Sequence, residues 1–501
     1  MNEQKVRRAE DAAHRFIHTP LEGLLAEDRD PPAKALELFR EVAATVPAYA
    51  KFLRAEGCDP ATVCTVEDFA RLPVVTKDNY LRRHPLPSLC RAGKLEDCDF
   101  VAVSSGSTGE PTFWPRFQSD ELSIATRFEQ VFSDAFEAAE RRTLAVICFA
   151  LGSWVGGMYT SACCRHLAAK GYPITVVTPG NSRDEIWRVV RALAPHFEQT
   201  ILLGYPPFLK DVLDGGRAAG IDWSRLHIRL VMAGEVFSED WRSLVVERAG
   251  STDHCFDTAS LYGTADAGVL GNETPLSICI RRYLSEHPQI ARELFGQARL
   301  PTLIQYDPCS RYFETLDGEE GTTLLFTGDN GVPLVRYHIA DQGGIVAFAE
   351  MFDFLARHGF DPRAELPAGT PVRTLPFVYV FGRTHFAVSF FGANIYPENV
   401  SVGLEQPAVR DWVTGKFVLQ AREGIDDAPH LAIAVELAAS VEPDARKVDR
   451  VAESVLTHLM RLNSEFANYT PAEYRKPRVT LHAAGDPAWF PVGVKHRYTR
   501  A

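Results

Sequence analysis

VAVSSGSTGEPTFWPRFQ, residues 101–118, is the stretch on which the reading of the chain turns. Val101-Ala102-Val103 is an apolar run suited to a short buried strand. Ser104, Ser105, Gly106, Ser107, Thr108 and Gly109 then follow as six small residues without a break. Two glycines free to take positive φ, with four hydroxyls on a thin loop, let backbone N–H groups close around an anion. Gly-Lys-Ser/Thr running straight into a helix, which a Walker A loop requires, is not there. Pro111 and the extended Thr112-Phe113-Trp114-Pro115 predict a strand–loop–strand hairpin instead. An ordinary Ser/Gly turn is the competing reading.

The totals bound what such a loop can serve. At 501 residues the chain exceeds a single core, so two or more domains are expected. A hydrophobic content of 46% with 24% charged residues is that of a soluble globular protein. A net charge of −12 without a basic stripe argues against nucleic acid and membrane surfaces as partners. Ten cysteines without a CxxC pair do not indicate a zinc ribbon or a redox dithiol. The N-terminal MNEQKVRRAEDAAHRF lacks the apolar core of a signal peptide, and no run reaches transmembrane length. A reducing cytoplasm is the expected compartment.

Along the chain, residues 33–57 carry apolar positions at helical spacing and predict an early helix. From about 143 a strand–helix rhythm begins. Strands are expected at 144–149, 174–177, 201–203 and 230–232, with helices over 156–169, 182–193, about 208–213 and 239–248. Such alternation implies parallel strands joined by right-handed crossovers, with ligands beyond the strands' carboxyl ends. Three loop-like stretches fall there: 152–157, 204–207 and 233–235. Between 268 and 345 short antiparallel strands are expected, with a hairpin turn at Asp317-Gly318-Glu319-Glu320-Gly321. After Phe381-Gly382 the strands at 417–419, 431–435 and 479–481 and a long amphipathic helix over 443–466 make a compact α+β unit. The expected fold is thus an α/β large N-terminal domain, residues 1–381, of parallel-rich sheets covered by helices plus a small β subdomain. A smaller, mobile α+β C-terminal domain, residues 382–501, follows it.

SSGSTGEPT resembles the phosphate-binding loop of the acyl-adenylate-forming ligases, and Leu72-Pro73-Val74-Val75-Thr76-Lys77 resembles one branch of them, the phenylacetate–CoA ligase-like proteins. Further stretches fall in the family's order. LGSWVGGMYTSACC, from Leu151, resembles the branch's Gly-Gly segment. Met232-Ala233-Gly234-Glu235-Val236-Phe237 resembles its Gly-Ala-Glu-Pro turn, and LYGTADAG (261–268) its Tyr-Gly-x-Ser/Thr-Glu motif. PLVRYHIADQG (333–343) resembles the Pro-x-x-Arg-Tyr-x-x-x-Asp segment. GRTHFAVSFFGANIYP (382–397) resembles the Gly-Arg hinge and the glycine-rich turn after it.

The resemblance implies attack of a carboxylate on the α-phosphate of ATP, giving an acyl-adenylate and pyrophosphate. It implies ATP-binding roles for Ser104, Ser105, Gly106, Ser107, Thr108 and Gly109, for Gly234 and Glu235 beside the adenine, and for Tyr262, Gly263 and Thr264. Asp341 is implied as the acceptor for both ribose hydroxyls, with Arg336 at the family's spacing and Arg383 and His385 at the hinge. Asp266 stands where the family's Mg²⁺-binding Glu lies. Lys495, in Gly493-Val494-Lys495-His496-Arg497, resembles the tail lysine that reaches the carboxylate and α-phosphate oxygens; Tyr498 stands where the family spaces a following Arg. The branch implies an aryl or arylacetic acid, in a pocket that Trp154, Gly157, Tyr205 and Tyr262 would line, and a homodimer.

Four departures bear on the acceptor and on ATP. Glu110 stands where the loop usually has Lys. Two like charges ~4 Å apart at an effective dielectric of about 20 repel by about 4 kcal/mol, unless Glu110 turns away or is paired, for example by Arg116. Ala265 removes a hydroxyl, Phe391 replaces an Arg or Lys before Gly392, and His385 replaces an acidic hinge residue. The adenylation parts are kept better than the thioester parts. The acceptor stays open among coenzyme A, a carrier-protein thiol and an amine, and a degenerate relative that binds nucleotide without turnover is a third reading.

Overall fold

The computed structural model describes residues 3–25, 29–104, 112–297, 299–318, 321–382, 388–391, 393–424, 427–491, 496, 498 and 499. Two strands flank the small-residue loop, β1 (Phe100–Val103) and β2 (Phe113–Arg116), paired antiparallel as the hairpin pattern predicts. The centre is one eleven-stranded sheet. Its parallel half holds β3 (Thr143–Ile147), β4 (Ile174–Val177), β5 (Gln199–Gly204), β6 (Ile228–Ala233) and β7 (Thr258–Thr264), in the order β4-β3-β5-β6-β7. The strands β8 (Gly268–Asn272), β9 (Thr302–Gln305), β10 (Tyr312–Gly318), β11 (Gly321–Gly328), β12 (Leu334–Val346) and β13 (Phe377–Gly382) continue it antiparallel. The sequence reading separates these as a β subdomain; the pairing of β7 with β8 instead joins both halves into one surface.

Both faces of the parallel half are covered, which is why its strands read as unbroken apolar runs. Leu144 and Val146 of β3 pack with Leu202, Leu230 and the helix residues Ile186 and Leu209 on one face. Ala145 and Ile147 pack with Ile201, Leu203, Phe128 and Cys163 on the other. The alternation along β3 is the two-residue period of a strand.

After β13 the chain builds a separate core. A hairpin of β14 (Val388–Phe390) and β15 (Ala393–Ile395) precedes a three-stranded sheet of β16 (Val413–Gly424), β17 (Asp427–Leu437) and β18 (Arg478–His482). The helix Ala445–Leu462 sets Val451, Val455 and Leu459 into that core.

Two helices that periodicity draws as single are broken. The first 33–57 stretch is Pro31–Thr45 and Pro47–Ala55, because Val46 precedes a proline and sits at φ −102°, ψ 108°. The proline ring clashes with a helical residue before it. The C-terminal helix stops at Asn463, whose side chain accepts from the Phe466 amide at 2.9 Å and donates to the Asn394 carbonyl at 2.8 Å. Asn463 thereby caps a second helix, Ser464–Tyr469. Among the described residues no helix is long and apolar enough to cross a membrane.

Candidate functional site

The candidate residues lie just beyond the carboxyl ends of β5, β6 and β7. After β5, Tyr205 turns back so that its ring meets Phe149 edge-on at 5.0 Å. After β6, Gly234 takes φ +90°, and a Cβ there would lie 2.7 Å from the Tyr205 ring. Both facts require glycine, and together they fix the turn that presents Glu235. Burial, with the Glu235 carboxylate adding to it, pushes the Tyr205 phenol up. β7 and β8 close tightly around Gly263, where a Cβ would meet the Gly268 carbonyl at 2.6 Å. Thr264 accepts from the Ala267 amide at 3.1 Å, shaping the turn that holds Asp266.

β12 supplies further candidate residues. Between His338 and Gln342 it advances four residues while β11 advances two, from Leu325 to Thr323. The excess is a bulge, and Ala340 within it sits at φ 64°. The bulge carries Asp341, to whose Oδ2 the Tyr262 hydroxyl donates at 2.6 Å. One strand turn earlier the Tyr337 hydroxyl donates to Asp266 Oδ2 at 2.6 Å, and Lys77 Nζ stands 3.3 Å from the same oxygen. Asp266 is 3% exposed, and beneath it the fully buried Arg116 donates to the Ala265 and Asp266 carbonyls at 2.6 and 2.8 Å. Arg116 is thus committed below the turn.

Lys77 reaches Asp266 because its segment is stitched to β12. Val75 donates to the Arg336 carbonyl at 3.1 Å and His338 donates to the Val75 carbonyl at 2.8 Å. The Arg336 guanidinium bonds both Glu314 oxygens at 3.1 Å and the Leu72 carbonyl. Arg336, read from the sequence as a nucleotide residue, is therefore the clamp on the 72–77 segment, 7% exposed.

The remaining sequence candidates fall as follows. Ser104 closes the foot of the small-residue loop, accepting from the Thr112 amide at 2.9 Å. Ser105, Gly106, Ser107, Thr108 and Gly109, with Arg383, His385 and Lys495, lie outside the described residues. Trp154 is 40% exposed at the start of the helix Val155–Lys170, and Leu151 is equally open. Gly157 is buried, with the Ala150 carbonyl 2.2 Å from where a Cβ would stand; it permits a close approach rather than lining a pocket. Among the described residues no group of three or more His, Cys, Asp or Glu is placed to hold a metal ion. Asp266 alone fits Mg²⁺ only where phosphate oxygens and water complete the ligand set.

The C-terminal unit contacts the large one beside the Glu235 turn. Its tail runs beside β16: Leu419 donates to the Tyr498 carbonyl at 2.7 Å, and a His496 ring nitrogen meets the Phe417 carbonyl at 2.6 Å. From there the Tyr498 hydroxyl donates to Glu235 Oε2 at 2.8 Å. Nearby, Ser238 caps the helix Glu239–Arg248 and donates to Glu405. Neither Tyr498 nor Glu405 carries a motif; at Tyr498 the only sign in the sequence is a break in the expected tail pattern.

No family model matches the chain, and no curated protein matches it. Solved structures do. A 2-hydroxyisobutyryl-CoA ligase in the postadenylation state, in complex with 2-HIB-AMP, is 17% identical with a TM-score of 0.66, covering 95% of this chain and 89% of that one. The same ligase in the thioesterification state gives 18% identity and 0.55 over 97% and 91%. The acyl acid amido synthetase AtGH3.15, in complex with 2,4-DB, gives 14% and 0.57 over 96% and 93%. The fold is that of the acyl-adenylate-forming ligases.

Proposed function

We propose that this chain activates a carboxylic acid with ATP and passes the acyl group to a nucleophile. A carboxylate oxygen bonds the α-phosphorus as the bond to the pyrophosphate bridge breaks. The observation that carries the reading is that Lys77 stands 3.3 Å from Asp266, while Tyr337 and Tyr262 tie β12 to Asp266 and to β7, with Asp341 on the same strand. Asp341, oriented by Tyr262, takes the two ribose hydroxyls, which suit one carboxylate acceptor. The Gly234–Glu235 turn lies against the base. Lys77 meets the phosphates with a positive charge already held by Asp266, so little reorganisation is needed when charge develops. A magnesium ion entering with ATP would be held by Asp266 and would neutralise phosphate charge when bound. Lys495 supplies the remaining cation from the tail. Trp154, Leu151 and Tyr205 favour an apolar acid, aryl or arylacetic.

The test is acid-dependent pyrophosphate release, with hydroxylamine trapping of the adenylate, across aryl, arylacetic, alkyl and 2-hydroxy acids. No acid-dependent pyrophosphate from any class would sink the reading.

The acceptor divides into two readings. A thiol is supported by likeness to a CoA ligase. An amine is supported by likeness to an amido synthetase at a similar score, and by Phe391, which stacks on Tyr474 at 5.1 Å where the resemblance expects a cation. Product mass with coenzyme A against an amine panel separates them.

A further inference from the structure

We propose that Tyr498 is the positioning residue of the adenylation step, latching the tail that carries Lys495 onto the turn at Glu235. The inference rests on the reading above, in which that turn faces the nucleotide and Lys495 serves the first half-reaction.

Both ends of the latch are stiff. On the large unit, the Glu235 turn is pinned between the positive φ of Gly234 and the Tyr205 ring. On the small unit, the Tyr498 backbone is bonded into the sheet through Leu419, and its ring packs against Phe417 at 4.9 Å and His496 at 4.5 Å. The Tyr498 hydroxyl crosses to the other unit. Burial and the Glu235 carboxylate push the phenol well above its ordinary range, so it stays protonated and donates. A hydrogen bond between a neutral donor and a carboxylate is stronger than one between neutral groups, and it is made only while the units are closed. Tyr498 lies three residues after Lys495 in the chain. Holding Tyr498 therefore limits where that lysine can travel, which is how a pre-ordered geometry raises a rate. Likeness to the ligase is higher in its postadenylation state than in its thioesterification state, which agrees with a closed adenylation geometry.

Tyr498→Phe keeps the ring and removes the donor. In the full-length protein, the expected result is a fall of roughly tenfold or more in kcat for acid-dependent ATP–pyrophosphate exchange. KM for ATP and the melting temperature stay near wild type, and transfer from supplied acyl-adenylate is unchanged. Amide hydrogen exchange at Leu419 reads the latch without any substrate, and it speeds up in Tyr498→Phe. Wild-type exchange at Leu419, or both half-reactions falling together with the melting temperature, would overturn the proposal. Absence of acid-dependent pyrophosphate in the wild type would overturn the function instead, leaving the Leu419 measurement to judge the latch.

Discussion

Two sets of ion pairs among the described residues differ in depth. Inside the large unit, Arg242 is fully buried between Glu239 and Glu273, and Arg281 joins it at Glu239. Between the units, Lys416 spans Asp211 at 2.8 Å and Glu436 at 3.2 Å, while Arg410–Glu247 and Arg248–Asp411 have partners about 60% exposed. The inner network has no water to replace a lost partner. Water can replace a lost partner at the exposed Arg410–Glu247 and Arg248–Asp411 pairs, as the proposed parting of the units requires. The large unit's Tyr–carboxylate bonds, Tyr262–Asp341 and Tyr337–Asp266, fall on the fixed side of this division, and Tyr498–Glu235 on the detachable side.

The division breaks if both kinds of pair respond alike to deletion. Arg242→Ala strands two buried carboxylates, and its expected cost is about 3–5 kcal/mol in unfolding free energy, read as a large fall in melting temperature. Burial opposes, and Arg242 with Arg281 and Arg282 outweighs it in holding Glu239 down at about 2, so deleting Arg242 leaves the burial cost less opposed. A next, smaller effect belongs to the candidate site. Asp341→Ala removes one charged acceptor and is expected to lower kcat/KM for ATP by roughly 10–100-fold. The Tyr262 hydroxyl loses this acceptor, and the melting temperature is expected to move by a few degrees. A stability loss as large as that of Arg242→Ala would place Asp341 with the structural pairs.

The candidate site residues could be named from the sequence because they lie in short contiguous motifs at strand ends. Their internal wiring could not. Tyr262 meets Asp341 79 residues away, and Tyr337 meets Asp266 71 residues away; nothing local marks a phenol as partner to a distant carboxylate. Lys77 was visible as part of a matching stretch, but its closeness to Asp266 depends on the stitching of Val75 to β12. Arg336 shows the converse. Its spacing suggested a nucleotide contact; the structure adds bonds to Glu314 and Leu72, at a positive φ of 47°, that hold the 72–77 segment. Periodicity found the helices at 31–55 and 445–469 and missed their breaks, because one proline and one asparagine overrule an otherwise continuous apolar stripe.

The smallest expected effect sharpens the comparison through pH. Glu405 is 7% exposed where the units meet, and burial pushes its carboxyl up to about 8. Ser238 and Asp240 face it from the large unit's 238–248 segment, with Lys210 and Arg281 from two further helices. When the units part, water returns the group to its ordinary value near 4.5. Below that value both states are protonated and closure is indifferent to pH. Between it and about 8, closure takes up a proton, so raising pH disfavours the closed state. Above about 8 the cost is complete. From pH 7 to pH 9 closure is therefore expected to weaken by about tenfold, measured as faster Leu419 amide exchange after correction for intrinsic rates. Burial also pushes the Asp211 and Glu398 carboxyls up, and the Tyr498 phenol lies too high to titrate. Glu405→Gln removes the largest part of the slope while keeping a partner for Ser238. An unchanged slope in that variant would mean that the pH sensitivity resides in the exposed pairs, and the joint would then be tuned at its rim rather than at its centre.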